Sequence, residues 1–279
     1  MTPTQQGGDA WRVRRLPGCA LLAFALVVGT AHADETVRRS SIFVSAGGKQ
    51  VAAIVLPLGV DAKLDIAALR IEKTASGGLH ASGNVQARVT WQGSGPVTLF
   101  GDDFTMQREA LPPEHVQAIR DLEAMGKSDQ AVRGQPNPEK RTAAEWRRQE
   151  AIDAANMARL AQIIDRHGWP GVRFAGYEGA SNAFLVLQHA ELDSQRKYLP
   201  LMREAVQRHD ALGNHLALLE DRVRMREGKP QIYGSQLVGN PPALVPIEDE
   251  ANVDQRRRAV GLGPLAEYLK LFGLTYRPK

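Results

Sequence analysis

The sequence predicts an α+β chain, with an N-terminal antiparallel β domain followed by an all-α helical domain. Apolar and polar residues alternate with period two up to about residue 107, whereas apolar residues recur at spacings of three and four from residue 142 onward. A polar segment that contains Pro and Gly separates the two patterns. The 279-residue length is sufficient for about two domains, each with its own core.

The first 33 residues have the pattern of a secretory signal peptide. Arg12, Arg14 and Arg15 precede an apolar run from 16 to 28, and Ala31-His32-Ala33 is a small-x-small cleavage site. Because the apolar run is shorter than a membrane span, we expect cleavage after Ala33. The mature protein would then be periplasmic or secreted, with no stable membrane span. An uncleaved anchor is the alternative.

Charge and cysteine content exclude several classes of function. Cleavage would remove three Arg and one Asp, which lowers the net charge from +4 to +2, and would also remove Cys19, the single cysteine. A charge this small gives no basic footprint for nucleic acid. Without a thiol, the mature chain has no disulfide and no thiolate metal site.

Residues 36–110 are predicted to form the β domain. Alternation places Val85, Ala87, Val89 and Trp91 on one face of a strand. Gly-rich segments at 76–78 and 93–96 mark turns, and earlier strands are expected at 42–44 and 51–55. About five short strands with tight turns are typical of a small antiparallel sandwich or a curled sheet.

Residues 111–141 are predicted to contain a short helix after Pro113 and a polar linker from 127 to 141. The helical domain then covers 142–279. Thr142-Ala-Ala-Glu145 is a capping box, so a long helix should run from 143 to 168. Further helices are expected at 181–192, 193–209, 215–227, 254–260 and 264–272.

Several polar residues fall on apolar helix stripes in this domain. Asp153 and Asn156 share a stripe with Leu160, and Asp221 shares one with Leu218. Gln188 and His189 follow a run that is apolar almost all round. Asp193 lies four residues beyond His189, close enough for contact if the helix continues. Since an unpaired buried charge costs several kcal/mol, these residues need partners. Asp193 or Asp221 could orient His189, Asn156 could bridge carboxylates, and Arg222 could neutralise one of them.

The segment Gln231-Ile-Tyr-Gly-Ser-Gln236 alternates polar side chains with Ile and Gly between a helix and a Pro-rich loop. If it is extended, Gln231, Tyr233 and Ser235 point one way. Ser235 is a weak candidate nucleophile, because the frame is not Gly-x-Ser-x-Gly and no strand precedes it.

Several short motifs occur together in the C-terminal half: Gly168-Trp169-Pro170, Gln188-His189-Ala190, Asp193, Asp221-Arg222, the 231–236 segment, and Arg257 or Arg258 before Gly261. In combination they resemble an uncharacterised bacterial helical domain family. That family is recognised by a Gln-x-Tyr-Gly-Thr/Ser-Gln motif. The resemblance covers the C-terminal half and implies a mostly helical domain whose polar motifs converge, with no assigned substrate.

Two functions remain open. In the first, the chain is an exported cell-envelope protein with a hydrolase-like site, in which His189, Asp193, Asp221 and Tyr233 are catalytic. Its substrate-binding residues would be Asn156, Gln188, Arg222, Gln231 and Gln236. In the second, these residues form a structural hydrogen-bond network in a non-catalytic module that binds a ligand or a protein. The ligand, a small molecule or an envelope component, is not specified by the sequence. No cofactor is indicated, except that the His189–Asp193 spacing leaves a divalent metal as an alternative.

Overall fold

The computed structural model describes residues 37–91, 94–133 and 141–276. The chain divides into two compact units, with the division after Val116. The signal peptide expected at 1–33 lies outside the described residues, as do residues 134–140 of the expected linker.

The first unit is a six-stranded antiparallel sheet. Its strands are β1 (Arg38–Ala46), β2 (Lys49–Val55), β3 (Ala62–Ala67), β4 (Arg70–Lys73), β5 (Leu79–Trp91) and β6 (Val97–Ala110). They are ordered β2-β1-β6-β5-β3, and β4 pairs with the first part of β5. All six strands belong to one hydrogen-bonded sheet, and the predicted N-terminal antiparallel sheet is confirmed.

The period-two pattern places the sheet's apolar side chains in one buried cluster. Val85, Ala87, Val89 and Trp91 of β5 are buried, in agreement with their predicted common face. Between Ser82 and Val85 the pairing register with β6 shifts, and Gly83 there has a positive φ of 79°. This bulge adds one residue to β5, and it interrupts the alternation that the sequence shows further along the strand.

The second unit is helical. The described helices are α1 (Pro113–Arg133), α2 (Ala143–His167), α3 (Val172–His189), α4 (Leu192–Gln207), α5 (Gly213–Arg226), α6 (Val253–Ala259) and α7 (Leu265–Lys270), and a short hairpin of β7 (Leu237–Val238) and β8 (Ala243–Leu244) follows α5. Leu122, Leu160, Leu187, Met202 and Leu219 contribute to one core cluster shared by α1 to α5. The predicted helical region is therefore confirmed.

Two helices differ most from the sequence prediction. The helix after Pro113 is not short, because α1 continues through residues 127–133, which were assigned to the linker. Its polar side chains there have partners on α2 and α3, which the linker interpretation did not consider. α3 begins at Val172 instead of 181, with Gly176 held at φ 71° in a kink. The kink and the nearby Gly179 weaken the helical pattern in this segment.

The capping box of α2 is present as predicted. The Glu145 N–H donates to Thr142 Oγ1 at 3.2 Å, and the Thr142 N–H donates to Glu145 Oε2 at 2.7 Å. Among the described helices, none is both long enough and apolar enough to cross a membrane.

Candidate functional site

Asp221 of α5 is fully buried and organises the segment 231–236, called here the 231–236 loop. Its Oδ1 accepts from the N–H groups of Ile232 (2.6 Å) and Tyr233 (3.0 Å), and its Oδ2 accepts from the Ser235 N–H (2.9 Å). Charge-assisted bonds of this kind offset the cost of burying a carboxylate. The carboxylate therefore holds the loop, and we assign it no role as a base.

The carbonyl groups of the 231–236 loop are bound by the C-terminal helices. Arg257, which is almost fully buried, donates from Nη1 to Tyr233 O at 2.7 Å. Tyr268 donates its hydroxyl to Ser235 O at 2.8 Å. Gly234 has a φ of 70°, and a Cβ there would lie 2.7 Å from a methyl carbon of Ile247. The loop therefore requires glycine at this position for both its backbone conformation and its packing.

Gln231 and Gln236 have structural contacts inside this loop. The Gln231 amide donates to Gln236 O (3.1 Å) and Val245 O (2.8 Å), and its Oε1 accepts from the Gln236 N–H (2.8 Å). Gln236 Oε1 accepts from Arg222 Nε at 3.0 Å, and its Nε2 donates to Ser235 Oγ at 3.0 Å. The loop thus fixes Gln236, and Gln236 fixes Arg222.

The guanidinium of Arg222, a residue of α5, lies at the C-terminal end of α3. Its Nη1 donates to Gln188 O at 3.0 Å, while Arg226 donates to Ala190 O at 2.7 Å. The fully buried Gln195 donates to Leu187 O and Gln188 O. These donors satisfy carbonyl groups that the end of a helix leaves without intrahelical partners. Arg222 was expected to neutralise a carboxylate, and this expectation is wrong, because it binds a carbonyl and an amide.

His189, the last residue of α3, forms a pair with a buried carboxylate of α1. Its Nδ1 lies 2.8 Å from Asp129 Oδ1, and the side chains of Asp129 and His189 are 1% and 17% exposed. His189 Nε2 makes no hydrogen bond with the described residues. A carboxylate at Nδ1 holds the proton on that nitrogen and leaves Nε2 as an acceptor. This arrangement is suited to a general base.

Residues of α1 and α2 support the His189–Asp129 pair. Arg133 Nη1 donates to Asp129 Oδ1 at 2.8 Å, and its Nη2 donates to Asp153 Oδ2 at 2.5 Å. Gln149 donates to Asp153 Oδ1 at 2.8 Å. Asn156 was expected to bridge carboxylates, but its amide instead donates to Ser128 Oγ and Met125 O. These contacts hold the end of α1, and hence Asp129, against α2.

Asp193 does not meet His189, and this expectation is wrong. Its side chain is 90% exposed, and it lies 3.5 Å from Arg196. Helical geometry does not continue between the two residues, because α3 ends at His189 and Ala190 is extended. Glu191 then caps the new helix α4 by accepting from the Ser194 N–H. The proposed His189–Asp193 metal pair is therefore not formed, and no group of three or more potential ligands occurs within the described ranges.

The hydroxyl groups of Tyr233 and Ser235 each have a polar partner. The Tyr233 hydroxyl lies 3.4 Å from Glu220 Oε2, and burial together with Glu220 and Asp221 raises its pKa to about 12. The buried Ser235 hydroxyl bonds to Gln236. Of the four residues predicted to be catalytic, Asp221 is bonded by backbone N–H groups, Asp193 lies in solvent, and His189 pairs with a buried carboxylate.

The partner that sequence reasoning missed is Asp129. It lies in the segment that was assigned to the linker, so it was not considered as a candidate. A signal was present, because Asp129 and Arg133 are four residues apart and form an ion pair on one helix face.

The fold and the site together define a class: an α+β chain whose helical unit combines an enclosed polar loop with a mostly buried histidine–aspartate pair. The chain belongs to DUF6624, a family of unknown function, whose model matches residues 116–279. Neither the curated proteins nor the solved structures gave a match.

We predict that Asp221→Asn destabilises the helical unit by at least about 3 kcal/mol, because it sets an amide group against backbone N–H groups that need an acceptor. Urea unfolding followed by helix circular dichroism measures this loss. Asp193→Asn, which changes an exposed carboxylate, is the matched control and should shift stability by less than about 0.5 kcal/mol. Wild-type stability in Asp221→Asn would show that the loop does not depend on this carboxylate.

A second prediction concerns His215, whose ring stacks on Phe184 with centroids 4.2 Å apart. Burial lowers its pKa from 6.5 to about 4, so the folded protein favours the neutral ring. The resulting stability is fully present above the unfolded-state pKa and is lost as the pH falls from about 6.5 to about 4, by at most about 3 kcal/mol. His215→Phe keeps the stack and should lose less stability than wild type on acidification. An NMR titration of His215 with a midpoint near 6.5 would contradict the assignment.

Proposed function

We propose that this is an exported protein of the cell envelope whose helical unit is a hydrolase-like enzyme, with His189 as general base. The observation that carries the proposal is the 2.8 Å contact between His189 Nδ1 and buried Asp129. It supports a ring orientation in which Nδ1 faces the carboxylate and Nε2 points away from it, where it could take a proton from water. Asp129 takes the orienting role that the sequence interpretation gave to Asp193 or Asp221.

The polar residues fall into two groups that differ in burial and in hydrogen bonding. Asp221, Gln231 and Gln236 are buried, and the carboxylate of Asp221 and the side chain of Gln231 both accept from backbone N–H groups of the 231–236 loop. These contacts support a structural role. His189 is partly buried, and its Nε2 makes no hydrogen bond with the residues that the structure describes. We also propose that the 231–236 loop is the motif by which this bacterial family is recognised, which is supported by its glycine requirement and its dependence on Asp221.

The alternative function is a binding module without chemistry. It is favoured by the extent of the enclosed network, since a structural loop of this kind needs no reaction to account for it. Both functions place the ligand near His189, but turnover is expected only in the first.

We predict that His189→Ala lowers hydrolysis by about 10²–10⁴-fold, because it removes the general base. Asp129→Asn should lower it less, since the imidazole remains. The assay uses p-nitrophenyl acetate, p-nitrophenyl phosphate and bis(p-nitrophenyl) phosphate. His209→Asn is the control, because His209 is exposed and its φ of 56° suits Asn. Turnover that survives His189→Ala would remove His189 from the mechanism, and ligand binding without turnover would favour the binding module.

Export is tested separately. Expression of the full chain in a bacterium with a periplasm should give a protein whose N-terminus, read by mass spectrometry, is Asp34. Replacing Ala31 and Ala33 with bulky residues should block processing, because signal peptidase requires small side chains at these positions. An intact N-terminus in the wild type would contradict cleavage.

A further inference from the structure

The charge of Arg222 is not compensated by a carboxylate in the part of the chain that the structure describes. Arg133, Arg224 and Arg256, whose side chains are similarly buried, each pair with an Asp or Glu. Arg222 instead uses Nε for Gln236 Oε1 and Nη1 for Gln188 O, and its Nη2 makes no hydrogen bond with the described residues. Part of its donor capacity is therefore available to a ligand.

The other charges near Arg222 increase this imbalance. Burial, Arg226 and Arg133 together lower the pKa of Arg222 to about 10. The nearby carboxylates have other partners. Asp129 and Asp153 pair with Arg133, and the exposed Glu191, which is close to Arg226, caps α4. The C-terminus of α3 contributes only about half a negative charge. A bound anion would therefore relieve an electrostatic cost that the fold carries.

The guanidinium of Arg222 lies at the same end of α3 as His189, the proposed catalytic base. Gln188, whose carbonyl group accepts from Arg222, directly precedes His189 in the chain. The end of α3 thus combines an arginine that has no carboxylate partner among the described residues with an imidazole whose Nε2 makes no hydrogen bond with them.

We propose that this site takes a small ligand with an oxyanion group, phosphate or carboxylate, which Arg222 binds beside His189. The inference rests on the proposed function and names the substrate class of the same site. The oxyanion accepts from Arg222 Nη2, and Gln236 keeps the guanidinium plane in position through Nε. A planar guanidinium fixed in this way is suited to phosphate and carboxylate oxygens.

The test is calorimetric titration of the whole exported chain with inorganic phosphate, with acetate and with uncharged methyl acetate. Phosphate or acetate should bind and methyl acetate should not, and the stronger anion identifies the group. Arg222→Gln should weaken anion binding about tenfold or more, since a hydrogen bond to a charged group is lost. Arg224→Gln is the matched control: it removes the same charge from α5, but Arg224 is engaged by Glu248 and Pro230 O. It should change binding less than about twofold.

Arg222→Gln also removes the contacts to Gln188 and Gln236, so it could weaken binding by disturbing the fold. A second measurement therefore uses the wild-type protein. On addition of phosphate, the Arg222 Nε–H resonance should shift and that of Arg224 should not. No shift, no anion binding, or equal loss in the two variants would overturn the proposal. His189→Ala should still bind the anion, so a failure of catalysis and a failure of anion binding can be distinguished.

Discussion

A carboxylate closed off from water must be matched by hydrogen-bond donors, and in this protein the donors that match Asp221 are the backbone N–H groups of the 231–236 loop. This constraint joins two segments that are ten or more residues apart. It sets the loop against α5, it requires glycine at 234, and it places Gln236 next to Arg222. Arg256, Arg257 and Tyr268 then satisfy the loop's carbonyl groups, which binds the C-terminal helices to the same unit.

The C-terminal end of α3 is the second consequence of this arrangement. Helix ends leave carbonyl groups without partners, and cations are favourable there. Arg222, Arg226 and Gln195 supply the donors, and they do so just before the chain turns into α4. The same turn directs His189 toward Asp129 and leaves Asp193 in solvent. Because α3 ends at His189, the histidine pairs with Asp129 and not with Asp193, although Asp193 is only four residues away.

The sequence predicted those features that depend on local patterns. Alternation in β5, the capping box at Thr142 and the polar stripe positions of Asp221 and Asn156 all need only neighbouring residues to be recognised. The partner of His189 could not be found in this way, because Asp129 lies 60 residues away in a segment whose composition resembles a linker. Its helical conformation depends on tertiary contacts of Ser128, Asp129 and Arg133, and intrinsic propensity gives little sign of it.

Burial separates the structural from the chemical residues of this site. A group whose hydrogen bonds are all made to the protein, such as Asp221 or Gln231, can exchange protons or bind a ligand only if the fold opens. His189 and Arg222 are different, because each has a donor or acceptor atom that makes no hydrogen bond with the described residues. The enclosed loop still matters for any reaction, since it fixes the position of Arg222 through Gln236. A guanidinium held before the ligand arrives costs less entropy on binding than one that must be ordered by it. In the proposed site, the enclosed network therefore positions the charge of Arg222, and His189 is the residue proposed to act as base.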